Sequence, residues 1–154
     1  MIDDPNALLI DTNLLLLIIA YNFDSSLIGR RRLDNFTLEQ GEFLKEFIAD
    51  FPRILTTPHI LAEVSNLADS CVPKGRHRAF RIFFSKAINR LEEQWTGAAA
   101  LSQLEAFRRL GLTDAAIVQL ANKRTKVITI DLELYQMLVA AEVPAENFNH
   151  WWNG

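Results

Sequence analysis

Two short apolar runs constrain this chain more than anything else in it. Ala7-Leu8-Leu9-Ile10 is uninterrupted, and Lys126-Val127-Ile128-Thr129-Ile130 is nearly so; each stops abruptly at an aspartate, Asp11 and Asp131. Strands that do not alternate apolar with polar residues are buried on both faces, which is the situation of a parallel sheet covered by helices. Long segments of helical periodicity separate the runs. The pattern predicts an α/β fold: a three-layer α/β/α sandwich around a central, mainly parallel sheet of about four to five strands. At 154 residues the chain has the length of a single domain, residues 1–154, with neither repeat nor interdomain linker.

The intervening elements carry their own punctuation. A helix is expected from about Thr12 to Tyr21, with Asp11 or Thr12 near its N-cap. Thr37-Leu38-Glu39-Gln40 has the form of a capping box, and Phe43, Leu44, Phe47, Ile48 and Phe51 recur after it at helical spacing until Pro52. Arg53 to Thr56 reads as a strand. Thr57-Pro58 then opens a helix carrying Ile60, Leu61, Val64, Leu67 and Ala68, bounded by Pro73. Further helices are expected over Arg76 to Gln94, Leu101 to Leu110 (closed by Gly111), Asp114 to Lys123 (capped by Thr113) and Leu134 to Glu142, and a last strand within Glu146 to Trp152.

Nineteen acids against sixteen Lys+Arg give a net charge of −3, which excludes a bulk-basic nucleic-acid binder while leaving room for a local basic patch. The lone Cys71 makes no intramolecular disulfide, and the first 29 residues contain no Lys or Arg to serve as the cationic end of a signal peptide. The longest unbroken apolar stretch, Leu14 to Tyr21, falls far short of the ~20 residues that a membrane helix needs. A cytoplasmic protein with no membrane association is expected.

In an open parallel sheet, ligands bind beyond the carboxyl ends of the strands. If the two strands are neighbours, Asp11 and Asp131 both face that crevice; the alternative is that each only caps the next helix. Asp114 shares a helix face with Ile117, Val118 and Ala121, and Glu63 borders the stripe of Ile60, Val64 and Leu67. Carboxylates on core-facing edges need a cation, a proton or a cleft. The bland alternatives are a favourable helix N-terminus for Asp114 and rim exposure for Glu63. Two carboxylates ~4 Å apart repel by about 4 kcal/mol at an effective dielectric of 20, so a cluster of four calls for retained protons or a divalent ion. The three histidines, His59, His77 and His150, are scattered and show no zinc spacing. An oxygen-only donor set suits Mg²⁺ or Mn²⁺, and through them phosphodiester chemistry.

Four segments, in order, resemble the motifs of the PIN-domain nucleases. These are Ile10-Asp11-Thr12-Asn13-Leu14-Leu15, Pro58-His59-Ile60-Leu61-Ala62-Glu63-Val64, Gly111-Leu112-Thr113-Asp114-Ala115-Ala116-Ile117, and Val127-Ile128-Thr129-Ile130-Asp131 with Leu134. The resemblance implies a Mg²⁺- or Mn²⁺-dependent endoribonuclease similar to VapC-type toxins, with RNA as substrate, an antitoxin protein as partner and a homodimeric state. It implies Asp11, Glu63, Asp114 and Asp131 as catalytic, metal-binding acids. Asn13 and Thr113 would orient water or a carboxylate, and Glu133 would substitute if Asp131 only caps its helix. Candidate RNA contacts are Arg30, Arg31 and Arg32 in one stretch, with Lys74, Arg76, Arg78, Arg81 and His77 in another. Trp151 and Trp152 are candidates for base stacking or, alternatively, for closing a core edge or a dimer contact. Two competing classes are a non-catalytic RNA-binding or protein-interaction module on the same fold, and a haloacid-dehalogenase-like phosphatase. The phosphatase requires a second Asp where this chain has Asn13.

Overall fold

The computed structural model describes residues 5–152. Five strands form one sheet: β1 (Ala7–Ile10), β2 (Arg53–Thr56), β3 (Glu92–Glu93), β4 (Thr125–Thr129) and β5 (Ala145–Asn147). Eight helices surround it: α1 (Thr12–Phe23), α2 (Leu38–Ala49), α3 (Pro58–Cys71), α4 (His77–Ile88), α5 (Ala98–Leu101), α6 (Glu105–Leu110), α7 (Leu112–Leu120) and α8 (Leu132–Ala140). All strand pairings are parallel, in the order β3-β2-β1-β4-β5. The result is the three-layer α/β/α architecture that the apolar runs predict.

That order fixes where chemistry can occur. The chain runs outward from β1 through β2 to β3, then returns to the other side of β1 to lay down β4 and β5. The reversal falls between β1 and β4, and in such sheets the crevice at the reversal lies outside the strands' carboxyl ends. Ile10 pairs with Ile128, and the ladder runs one residue further, from the Asp11 amide to the Ile128 carbonyl at 3.0 Å. Asp11 and Asp131 therefore emerge at one edge, on adjacent strands.

Helix α1 is the spine of the core. Leu14 through Ala20 are all buried, as befits a helix that is apolar on every side; α2, α3 and α4 all pack against it. Helix α2 approaches closely at Gly41, where a Cβ would sit 2.5 Å from the Tyr21 ring. The Thr37–Gln40 capping box forms as its sequence predicts, and Thr57 caps α3 with Pro58 in the first turn. The C-terminal aromatics close a core edge: Phe148 is fully buried, and Trp151 and Trp152 meet Phe43 tilted and edge-on at ring separations of 5.1 and 5.5 Å.

Four expectations need correction. The helix expected to reach Gln94 ends at Ile88, and Glu92-Glu93 forms an edge strand instead. The Arg53 guanidinium grips Glu92 through two bonds of 2.8 and 2.9 Å, and the Gln94 amide donates to the Thr56 carbonyl. The helix expected over 101–110 is two short pieces. The Ser102 hydroxyl turns back to the Ala99 carbonyl at 2.7 Å, competing with the helical ladder. Thr113 is not the cap of its helix, because α7 begins at Leu112 with Gly111 in the cap position. The last strand is only Ala145–Asn147, and Phe148–Trp151 winds into a 3₁₀ turn.

Candidate active site

Each acid reaches the crevice from a different element. Asp11 ends β1 and begins α1. Its Oδ1 accepts from the Thr12 amide at 2.7 Å, and its Oδ2 accepts from the Thr129 hydroxyl, on the last residue of β4, at 2.6 Å. This second bond fastens the two central strands together at the point where the topology reverses. Asp131 caps α8, accepting from the Leu134 amide at 3.2 Å, while its own amide donates to Thr129 Oγ1 at 2.9 Å. Both aspartates thus cap a helix and line the crevice, so the two readings of them are not exclusive.

Glu63 lies on α3, one turn beyond the helix's capped start. Its carboxylate accepts from two hydroxyls, Thr12 Oγ1 at 3.1 Å and Thr113 Oγ1. Thr113 positions a carboxylate by this bond instead of capping its helix. Asp114 stands in the first turn of α7, and its direction is set by Gly111, whose φ of +94° and ψ of −176° belong to a region open essentially to glycine alone.

The four carboxylates line one pocket of about 340 Å³, together with Thr12, Asn13, Leu67, Leu110, Gly111, Leu112 and Thr113. No Lys or Arg is among these lining residues. A larger depression of about 570 Å³ lies by Asn6, Arg53, Asn122 and Lys123 and has no carboxylate in its lining. Sequence reasoning missed Thr12, Thr129 and Leu67. The two threonines carried a signal, since each adjoins or nearly adjoins a strand-ending aspartate.

Asp11 is only 6% exposed, and burial pushes its carboxyl above the usual range, with Asp131 and Glu63 adding repulsion; the bonds from Thr129 and Thr12 oppose the rise. Asp114 is pushed up to about 7, first by burial, then by the charges of Asp11, Asp131 and Glu63 and by a hydrogen bond with Asp131. The site holds negative charge in excess of what it neutralises. Among the described residues, no group of three or more His, Cys, Asp or Glu forms a ready-made metal cage. The donor chemistry nevertheless suits a hard divalent cation: carboxylate and hydroxyl oxygens only, with a proton held at Asp114 that an ion would displace.

The remaining candidates lie elsewhere. Asn13 is exposed on the pocket rim, and Glu133 is exposed outside it. The Arg31 guanidinium donates to the Ser70 carbonyl at the far end of α3, while Arg76 pairs with Asp24 and stacks 4.7 Å over Phe23. Asp24 comes just after the last residue of α1 and Asp11 just before the first, so about 18 Å of helix separates them. Arg30 and Arg32 flank Arg31, and Arg78 stands exposed in the first turn of α4. Arg81 pairs with Asp69, and His77 Nε2 bonds the Val72 carbonyl. These groups form a basic region away from the acids and do not line their pocket. Comparison with protein-family models finds no match to this chain, and comparison with curated proteins finds no relative.

Proposed function

We propose that this chain is a metal-dependent nuclease that hydrolyses RNA phosphodiester bonds, with Asp11, Glu63, Asp114 and Asp131 holding Mg²⁺ or Mn²⁺. The observation that carries the reading is the meeting of four carboxylates, from β1, α3, α7 and the end of β4, in one pocket lined by no lysine or arginine. When bound, the ion supplies Lewis acidity, activating a water and neutralising charge on the phosphate. The chain supplies the rest. Thr129 and the Thr12 amide hold Asp11 in one orientation, and Thr12 and Thr113 do the same for Glu63. Such outer-shell bonds fix ligand geometry and are typically worth 10- to 100-fold in metal affinity or activity. Asp114, with its carboxyl near pH 7, can release its proton on ion binding at physiological pH. Asn13, on the rim, is placed to orient water or phosphate.

By its resemblance to VapC-type proteins, the proposal extends to the toxin of a toxin–antitoxin pair acting as a homodimer. One observation favours a non-catalytic module on the same fold: the acids do not already form a closed cage. Cleavage separates the two readings. Purified protein should cut a mixed single-stranded RNA in Mn²⁺, and should not do so in EDTA or as Asp11→Asn. Absence of cleavage together with absence of metal binding would leave the module; equal cutting in all three arms would expose a contaminant.

A further inference from the structure

At the carboxyl edge of the sheet, beyond β3, stands the most exposed large hydrophobic residue described: Trp95, 73% accessible. Trp151 and Trp152 are partly buried in the aromatic cluster, and the other large exposed apolar residues, Leu38, Ile82, Leu132 and Val139, are aliphatic. Because every pairing is parallel, Trp95 leaves the sheet at the same edge as Asp11. Two strand spacings, about 10 Å, separate β3 from β1.

Two cations, Lys86 on α4 and Arg90 just past its end, lie toward the same sheet edge. Phe23, the last residue of α1, meets Phe80 and Phe83 of α4 at 5.3 and 5.5 Å, whereas Leu91, just past α4, shares an apolar cleft with Ile10 and Leu15 near the start of α1. Helix α4 therefore runs antiparallel to α1 and climbs toward the edge where Asp11 sits. Lys86 and Arg90, one turn apart, stand on the rim of that cleft; both are exposed and form no ion pair among the described residues. From residue 70 to residue 91 the sequence has no acid and six basic residues, within a chain of net charge −3. An exposed aromatic face and unpaired cations, all toward the sheet edge that carries the acidic pocket, combine base stacking with phosphate attraction.

We infer that Trp95, with Arg90 and Lys86, forms a base-stacking subsite for single-stranded RNA flanking the bond cut at the acidic pocket. This rests on the nuclease reading above and adds to it the residues that hold the strand beside the cut, an unpaired base inside the strand offering its face to the indole where a base within a duplex does not.

The test uses the full chain carrying Asp11→Asn, with Mn²⁺, and a labelled ten-nucleotide RNA, single-stranded or in duplex. Trp95→Ala should weaken single-strand binding roughly tenfold, within the range for loss of one stacked base, and leave duplex binding within twofold. Single-stranded RNA should quench tryptophan emission, and Trp95→Phe should abolish the quench while holding affinity within about threefold. An unchanged melting temperature shows that the variants are folded. If wild-type protein cleaves RNA and Trp95→Ala binds it undiminished, the subsite is overturned and the nuclease reading stands. If Trp95→Ala instead alters the oligomeric mass, Trp95 belongs to a protein contact and the subsite is again overturned. If wild-type protein neither binds nor cuts RNA, the nuclease reading fails and the subsite with it.

Discussion

Replacing Asp114 by asparagine removes one of four mutually repelling carboxylates and leaves the shape of the side chain. Its carboxyl is pushed from 3.8 up to about 7 by burial and by Asp11, Asp131 and Glu63. At 1.36 kcal/mol per pH unit this rise sets an upper bound of ~4 kcal/mol. Asp114 is only half-buried, and solvent screening reduces that to about 1–2 kcal/mol. Between pH ~4 and ~7 the folded chain keeps a proton that the unfolded chain has released. The stability this confers is complete below pH ~4 and is lost as the pH rises through about 7. The wild type should therefore lose about 1–2 kcal/mol over this range from Asp114 alone, and Asp114→Asn should not. At ~2–4 °C per kcal/mol for a domain of this size, the melting temperature of the metal-free variant, relative to wild type, should gain ~2–8 °C between pH 4.5 and pH 8. Circular dichroism melts in EDTA across that range make the comparison. A difference that stays constant with pH, or that falls as pH rises, would refute the electrostatic account of the pocket.

Two further perturbations separate positioning from packing. Thr113→Val removes the hydroxyl that holds Glu63 while keeping side-chain volume, and should lower Mn²⁺ affinity by roughly tenfold or more with little change in the melting temperature of the metal-free protein. Calorimetry checks the first and thermal unfolding the second. Gly41→Ala drives a methyl group into the Tyr21 ring where α2 meets α1, and should cost about 1–3 kcal/mol in urea unfolding while the metal affinity of the folded protein is unchanged.

The parts of this fold that announced themselves are those whose signal is local. The strands at 7–10 and 53–56 and the caps at Thr37 and Thr57 each rest on residues close in sequence, and all form as expected. The missed strand β3 has two residues, both glutamates, and exists because Arg53 and Thr56 of β2 bond to Glu92 and Gln94, some forty residues further along the chain. No periodicity betrays such an element. Similarly, a turn at Ser102, whose hydroxyl bonds the Ala99 carbonyl, interrupts a run of good helix formers, and a pattern of apolar spacing carries no trace of it. At the site, strand-ending aspartates and misplaced acids were legible one at a time, and the topology brings all four to one pocket. The hydroxyls that hold them were harder to read. Thr129 bonds a carboxylate 118 residues away, a pairing that only the adjacency of β1 and β4 creates. The basic stretches read correctly as charge and poorly as place, since Arg31 is tied to the far end of α3 and Arg76 to the far end of α1.

Calorimetric titration of Mn²⁺ into the metal-free protein at pH 7 tests most directly whether the acidic pocket takes a divalent cation. Wild-type protein should bind Mn²⁺ with a heat that varies with the ionisation enthalpy of the buffer, because the proton held near pH 7 at Asp114 is released as the ion enters. Asp11→Asn should weaken the binding at least tenfold. Failure of Mn²⁺ to bind, or binding that Asp11→Asn leaves intact, would contradict the assignment of these four carboxylates to a metal.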